Sequence, residues 1–587
     1  MVPLSAELSG VVGRAFENAG VSGELGTVRV SDRPDLAQFQ CNGALAAAKQ
    51  ARTNPRSIAE KIASGLRSDP LFAKVEVAGP GFINLDVADD ALVVRTAQLA
   101  QDSRLGAPAS GEGKSLVIDF GGPNVAKPMH VGHLRSAIIG DSLQRLFRAN
   151  GWQVTSDVHL GDWGLPMGQL ISEIGHRGIA PIYFDGQFKG PYPAESPIGM
   201  EELEELYPAA SAACKSDPVR LEEARAATAE LQAGRPGYRA LWRHFFAVSE
   251  KGLEREYASL GVRFDLWKGE ADVDPLIAPM IEDIRAQGLA VMSDGALVIP
   301  VAEPGDKKEM PPLLLLKSDG AVLYGTTDLA TIVDRVRSQD PDLILYVVDQ
   351  RQHGHFEQVF RAARKAALNG HAMLEHAGFG TVNGPDGKPF KTRAGGVMKL
   401  YDLIAMATEE AGKRLAEQGI GAEYPEQERN AITRAVGLAA IKFADLTNFR
   451  TSDYVFDLSR FTRFEGKTGP YLQYAAVRIQ SILRRAEAED YALAKPVVRS
   501  PEERNLILLL LSLSDAMEGA EIKRAPNVIC DYAFTLAQEF SRFYSEHHIL
   551  SEPDTALRGA RLGLCALTLS VLQKLLEILG IEVPARM

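Results

Sequence analysis

The stretch Asp119–Phe147 reads DFGGPNVAKPMHVGHLRSAIIGDSLQRLF. Leu116–Phe120 has the character of the end of a buried strand, and Gly121, Gly122 and Pro123 then break it. From Gly132 onward, Ile139, Leu143, Leu146 and Phe147 recur at i, i+4, i+7 and i+8, one apolar face of a helix. His130 and His133 therefore sit where a strand gives way to a helix N-terminus. Free backbone N–H groups and the helix dipole favour a phosphate there. Two imidazoles three residues apart share a face of the first turn, placed to hydrogen-bond phosphates and to stabilise charge in phosphoryl transfer. By spacing alone the same pair also suits a surface position or half of a metal site.

The 587 residues suggest roughly three or four domains. An apolar content of 45% with 24% charged side chains describes a globular chain with a large core. The formal net charge of −12 excludes a polycation, so a nucleic-acid partner must meet local basic faces. Cys41, Cys214, Cys530 and Cys565 are scattered, with no C-x-x-C, which argues against a disulfide framework or a zinc knuckle and fits a reducing compartment. The N-terminal MVPLSAELSGVVGRAFENAG has no basic segment leading into a long apolar run, so no signal peptide is expected. The longest Leu/Ile run, Leu506–Leu511, is far too short to span a bilayer. No membrane association and a cytoplasmic location are the expectations.

Outward from the opening stretch, the chain divides. Residues 1 to about 108 carry helical patterns at Leu4–Asn18 and Asn54–Leu66 around short strand-like runs at Thr27–Val30 and Val75–Val77. Gly79–Asp86, GPGFINLD, reads as a turn feeding a strand, and Ala107–Gly113 reads as a linker. In residues 109–400 strands alternate with helices, the pattern of a parallel sheet with crossover helices. Trp152–Val158 is one strand, ending in HLGDWG, and Leu343–Val348 is another, apolar throughout as in a strand buried on both faces. Gln350–Gln358, QRQHGHFEQ, follows directly. Ligands of open α/β sheets gather at the carboxyl ends of strands, which would place His130, His133, Gln352 and His355 together. Residues 176–270 are polar and helical and read as an insertion. The remainder is helical in pattern at Leu403–Glu417, Glu426–Leu446, Pro470–Glu487, Glu502–Ile522, Ala525–His547 and Asp554–Leu579, which predicts a bundle.

The run P-N-V-A-K-P-M-H-V-G-H-L-R-S closely resembles the ATP-binding signature of class I aminoacyl-tRNA synthetases, and its flanks resemble arginyl-tRNA synthetases in particular. Phe464–Arg485, FEGKTGPYLQYAAVRIQSILRR, resembles the opening of that family's anticodon-binding bundle. The resemblance implies a Rossmann-type α/β core at 109–400, with the helical insertion facing the tRNA acceptor arm. It also implies a small N-terminal α/β domain at 1–108 that binds the tRNA D-loop, a helical connection at 401–457 and an all-α anticodon-binding bundle at 458–587. By resemblance His130, Gly132 and His133 contact ATP, with His355 nearby, and His133 also lies near the amino acid. Asn124 and Gln352 match residues that hold the α-amino and carboxyl ends of the substrate.

Arginine specificity needs at least one buried acid, because a guanidinium offers a fork of donors that a carboxylate matches bidentately. Asp328 in Tyr324–Ala330, YGTTDLA, matches the family's position, with Tyr324 one turn away and Asp119 a second candidate. Asp328 reads equally as a helix N-cap before Leu329–Val336. The second class I signature, usually K-M-S-K-S, corresponds to Gly387–Gly396, GKPFKTRAGG, where Thr392 stands in place of the second lysine. Lys388, Lys391 and Arg393 keep that loop cationic. Lys127, held extended by Pro128, is the candidate to replace the missing charge at the departing pyrophosphate. For tRNA, the family's contacts fall at Phe82 and Asn84, although Phe82 also suits a core. Tyr471, Tyr474 and Arg478, with Arg484 and Arg485, suit stacking and phosphate contact or a solvated face.

The expected enzyme is an arginine–tRNA ligase acting as a monomer, with ATP accompanied by Mg2+ and no structural metal. It would make arginyl-adenylate from L-arginine and ATP, then esterify the terminal 2′-hydroxyl of tRNA(Arg). A class I synthetase for another amino acid is the first alternative, and a neutral or anionic side chain would not want Asp328 and Asp119. A non-catalytic tRNA-binding paralogue is the second, and it would have no need of Lys127, His130, Gly132 and His133.

Overall fold

The computed structural model describes every residue of the chain except 1, 34, 385–386 and 389–397. Five parallel strands form the central sheet: β1 Ser115–Phe120, β2 Gln153–Leu160, β3 Leu266–Gly269, β4 Leu343–Val347 and β5 Met373–His376. Their spatial order is 3-2-1-4-5. In this doubly wound order the winding reverses between β1 and β4, and a crevice opens there beyond the carboxyl ends.

Six helices carry or brace the side chains around that crevice: α1 Val131–Ala149, α2 Met200–Ser216, α3 Pro236–Ser259, α4 Tyr324–Gln339, α5 His353–Lys365 and α6 Glu426–Leu446. Alternate residues of β1 and β4 serve two cores, as the pleat dictates. Leu116, Ile118, Phe120, Leu343 and Leu345 pack with α1. Val117, Ile344 and Tyr346 pack with α4 and α5 through Leu329, Ile332, Phe356 and Val359. Helix α1 is buried on more than the one face its apolar spacing shows, because the C-terminal helices cover its other side. Arg135 on α1 and Asp445 on α6 pair there, 2% and 0% exposed, with Nε and Oδ2 3.2 Å apart.

The connection from β2 to β3 holds helix Leu165–His176, then α2, Pro218–Gln232 and α3. Leu266–Gly269 pairs with β2, so the insertion expected at 176–270 ends before that strand. After β3 comes an antiparallel three-stranded sheet, Val291–Ser293, Ala296–Ile299 and Leu313–Leu316, which the sequence pattern did not announce. Its strands are short, and Val291–Ser293 is fully exposed, so no alternation marks it.

The N-terminal unit is a four-stranded antiparallel sheet with helices Leu4–Asn18, Gly43–Ala51 and Pro55–Leu66. The C-terminal part is the expected bundle, with one correction. Glu502–Ile522 is two helices, Pro501–Leu511 and Leu513–Lys523, divided at Ser512, whose hydroxyl donates to the Leu509 carbonyl. Among the described residues one helix, Thr555–Ile578, is long and apolar enough to cross a membrane, although no single Leu/Ile run in the sequence is. Its Leu562, Leu569, Leu572 and Leu576 pack inside the bundle.

Candidate active site

The histidine pair lies at the β1–α1 junction. His130 is the N-cap of α1: its Nδ1 accepts the Gly132 N–H at 3.0 Å, and His133 Nδ1 accepts the His130 N–H at 3.2 Å. The rings are 4.0 Å apart. Both Nδ1 lone pairs are occupied by backbone donors, so each neutral ring carries its proton on Nε2 and keeps that N–H to offer a ligand. Burial, then the charges of His130 and Lys127, lower the His133 pKa to about 4, and burial with Lys127 also lowers that of His130. Two neutral donors at a helix N-terminus suit a polyphosphate. Gly132 leaves the His130 ring its place, because a Cβ there would lie 2.7 Å from His130 Cε1 and push the ring aside.

The crevice is fixed across the switch point. Ser136 Oγ donates to the Val347 carbonyl at 2.7 Å and accepts the Gly121 N–H at 2.8 Å, joining the ends of β4 and β1. On the other side Asn124 forms a parallel bridge with Gly161. A Cβ on Gly161 would lie 2.3 Å from Asn124 Oδ1, so this glycine makes room for the carboxamide. Gln352 is exposed in the turn Gln350–Gln352 that follows β4.

Asp328 is the fifth residue of α4, whose N-cap is Leu323, which removes the N-cap reading. Its Oδ2 lies 2.5 Å from His355 Nε2, and the His355 ring is 4.7 Å from that of Tyr324, which is 66% exposed. His355, expected beside the nucleotide, is thus held by Asp328 in this structure. Asp119 also has a partner of its own. Its Oδ2 and that of Asp157 lie 2.6 and 2.7 Å from Arg335 Nη2, and Arg335 is 2% exposed. Asp119 is thus a buried counter-ion for Arg335 of α4.

Two further acids escaped the sequence reading. Asp162 follows β2 and Glu270 follows β3, both at the carboxyl end of the sheet. Burial raises the pKa of each to about 7. Asp162 and Asp328 add their charge at Glu270. Asp162 Oδ2 is buried without a hydrogen-bond partner among the described residues. Asp162 stood inside the HLGDWG motif, but its chemistry only emerges once β3 brings Glu270 alongside. Of the second-signature loop, Lys391, Thr392 and Arg393 lie outside the described residues. The Gly384 N–H donates to the Lys388 carbonyl at 2.7 Å.

The chain matches three family descriptions in succession. They are "Arginyl tRNA synthetase N terminal domain" over residues 4–87, "tRNA synthetases class I (R), catalytic domain" over 95–458, and "DALR anticodon binding domain" over 472–587. It is 55% identical to the arginine–tRNA ligase of Maricaulis maris, over 100% of both chains. The chain belongs to the arginyl-tRNA synthetase family. The arginine–tRNA ligase of Hyphomonas neptunium is 53% identical, again over 100% of both chains. The crystal structure of the Plasmodium falciparum arginyl-tRNA synthetase shares the fold, with a TM-score of 0.83 at 24% identity over 100% of both chains.

The tRNA candidates of this arginyl-tRNA synthetase family member lie in its two outer units. In the N-terminal sheet Ile83, Leu85 and Val87 enter the core, while Phe82 and Asn84 fall on the opposite face. Asn84 is only 6% exposed, and its Oδ1 accepts the Gln40 Nε2 donor at 2.9 Å. Phe82 is half-buried. In the bundle Tyr474 and Arg478 are exposed one turn apart, and the Arg478 guanidinium lies 4.3 Å from the Tyr544 ring centroid. Tyr471 leans on Phe534, with ring centroids 5.6 Å apart.

Proposed function

We propose that the β1/β4 crevice activates L-arginine with ATP and then hands it to tRNA(Arg). The chain is an arginine–tRNA ligase of class I, and the roles of its residues follow from the chemistry. An arginine α-carboxylate oxygen attacks the α-phosphorus in line, the Pα–O–Pβ bond breaks, and pyrophosphate leaves. No protein nucleophile is needed, only positioning and charge stabilisation. His130 and His133 donate through Nε2–H to phosphate oxygens, Gly132 leaves room for them, and Lys127 meets the departing pyrophosphate. Lys388, Lys391 and Arg393 add cationic charge from the second loop. Mg2+ would travel on the ATP phosphates, whose charge it would offset.

Asp328, backed by Glu270 and Asp162, receives the guanidinium, with Tyr324 flanking it. Asn124 and Gln352 hold the α-amino and carboxyl ends. His355 orients Asp328, and it is displaced toward the nucleotide when arginine takes the carboxylate. The terminal adenosine 2′-hydroxyl then attacks the activated carbonyl carbon, AMP leaves with the bonding electrons, and the hydroxyl proton passes to phosphate or solvent. Phe82 with its sheet face, and Tyr471, Tyr474 and Arg478 on the bundle, bind tRNA. The enzyme works as a cytoplasmic monomer.

The observation that carries this reading is that two neutral histidine donors at the β1–α1 junction and a cluster of partly desolvated acids after β2 and β3 both lie at the carboxyl end of one parallel sheet. A polyphosphate wants the first and a guanidinium the second. The test separates the crevice from the tRNA-binding bundle. Arg478→Ala should raise the KM for tRNA several-fold in aminoacylation and leave pyrophosphate exchange at saturating tRNA within about twofold of wild type, as expected for a peripheral phosphate contact. A loss in exchange with an unaltered KM for tRNA would contradict the division of labour.

A further inference from the structure

Helix α2 of the insertion sets two side chains against the segments that frame the histidine pair. The Lys127 ammonium lies over the Tyr207 ring, 4.7 Å from its centroid. One turn earlier on α2, Glu204 Oε2 lies 2.7 Å from Lys399 Nζ. Residues at i and i+3 share a helix face, so one face of α2 engages both lysines. Lys399 belongs to the site's frame: it bridges to His130, and the Val131 and Leu400 N–H groups donate to the Met398 and Met129 carbonyls at 3.0 and 3.1 Å.

The backbone around Lys127 is fixed from the other side by α3. Ala126 has φ of 65°, in the left-handed region, and its N–H donates to Ser249 Oγ at 2.9 Å. The Met129 N–H donates to Glu256 Oε2 at 2.8 Å. Pro128 holds Lys127 itself extended. With the main chain pinned on both sides of it, the remaining freedom is the long Lys127 side chain. An ammonium over an aromatic face is attracted by the ring quadrupole, which removes that freedom without neutralising the charge. A carboxylate in the place of Tyr207 would order the lysine equally well but cancel the charge the phosphates need. The placement also keeps the ammonium within electrostatic reach of the pair, since its charge disfavours protonation of both His130 and His133.

We propose that Tyr207 is a positioning residue for arginine activation: its ring cradles Lys127 and holds the ammonium beside His130 and His133, where the pyrophosphate departs. The inference rests on the reading of Lys127 as the phosphate-facing cation. It gives the insertion a part in the chemistry of the first step, through a side chain that touches no substrate.

The test is pyrophosphate exchange on the full-length chain with tRNA present. Tyr207→Leu keeps an apolar side chain of similar reach and removes the ring. It should lower kcat by about 3- to 30-fold, the range of a lost cation–π contact, with the KM for arginine unmoved. Tyr207→Phe, which retains the quadrupole, should restore the rate. In a Lys127→Ala background Tyr207→Leu should cost nothing further, because its effect runs through the lysine. Wild-type kcat in Tyr207→Leu overturns the proposal. So does an equal loss in the Leu and Phe variants, or a loss that multiplies in the Lys127→Ala background, since each would mark a packing role. If Lys127→Ala alone leaves exchange intact, the reading of Lys127 has failed and the cradle with it. A Lys127 effect without a Tyr207 effect rejects the cradle alone.

Discussion

Replacing Asp328 by Asn probes arginine recognition with little change of shape. Asp328 is 29% exposed, and its Oδ2 is 2.5 Å from His355 Nε2. The amide retains an acceptor for His355 and deletes the charge proposed to meet the guanidinium. Opposite charges about 4 Å apart interact by about 4 kcal/mol at an effective dielectric of about 20. Stripping one partner from a buried charge pair costs ~2–5 kcal/mol. Partial exposure and the continued presence of Glu270 place the loss at the low end, about 2 kcal/mol, which is about 30-fold in affinity. The KM for arginine should rise by that factor in pyrophosphate exchange, while the KM for ATP stays within about twofold, because the nucleotide meets the histidine end. Citrulline supplies an internal control. Its neutral urea already lacks the charge, so the preference for arginine over citrulline should shrink by about the same 30-fold. A folded Asp328→Asn enzyme with the wild-type KM for arginine would refute the assignment.

Three other perturbations are specified by the structure. Gly161→Ala puts a Cβ 2.3 Å from Asn124 Oδ1 and must turn that carboxamide away; kcat/KM for arginine should fall on the order of tenfold, as for one lost hydrogen bond to a charged group, and an unchanged value would free Asn124 from the site. Asp162 and Glu270, with pKa near 7, are held partly protonated, and a bound guanidinium favours their ionised forms. Arginine affinity should therefore rise with pH through about 7, with proton release detectable by calorimetry in buffers of different ionisation enthalpy; binding without proton release would contradict this. The linked sign for the free enzyme is opposite: folded pKa values raised above those of the unfolded chain favour the fold at low pH, and that contribution is lost as pH rises through about 7. Arg135→Met leaves Asp445 buried and short of its cation, which should cost ~3–5 kcal/mol of unfolding free energy in a chemical melt, and a loss below about 1 kcal/mol would show that Tyr454, whose hydroxyl donates to Asp445 Oδ2 at 3.0 Å, suffices.

Where local pattern governs, the sequence was legible. The helix Leu4–Asn18 and the helix Glu426–Leu446 match their apolar spacing end to end, and β4 shows as an uninterrupted apolar run because both of its faces are covered. The histidine pair was legible for a similar reason: strand, glycine turn and helix start adjoin in the chain, so their meeting is a local event. What escaped was the pairing of distant charges. Asp119 looked like a free acid until α4 brought Arg335 across the sheet, and Asp162 and Glu270 became a cluster only through the pairing of β3 with β2. The N-cap alternative for Asp328 falls because the helix begins one turn earlier, at Tyr324, with Leu323 as a cap that makes no side-chain bond. The break at Ser512 was hidden because apolar residues continue on both sides of it. Tyr207 lay in a polar helix with nothing to mark it, since its partner, Lys127, is distant in sequence.

The central claim is that this chain activates arginine, and no other amino acid, at the crevice between β1 and β4. Pyrophosphate exchange measured across the standard amino acids, with and without tRNA(Arg), tests it most directly. The account predicts exchange with arginine and with no other amino acid, abolished to background when His130 and His133 are both replaced by Ala. Exchange with a second amino acid at a comparable kcat/KM, or full activity in the double histidine variant, would contradict it.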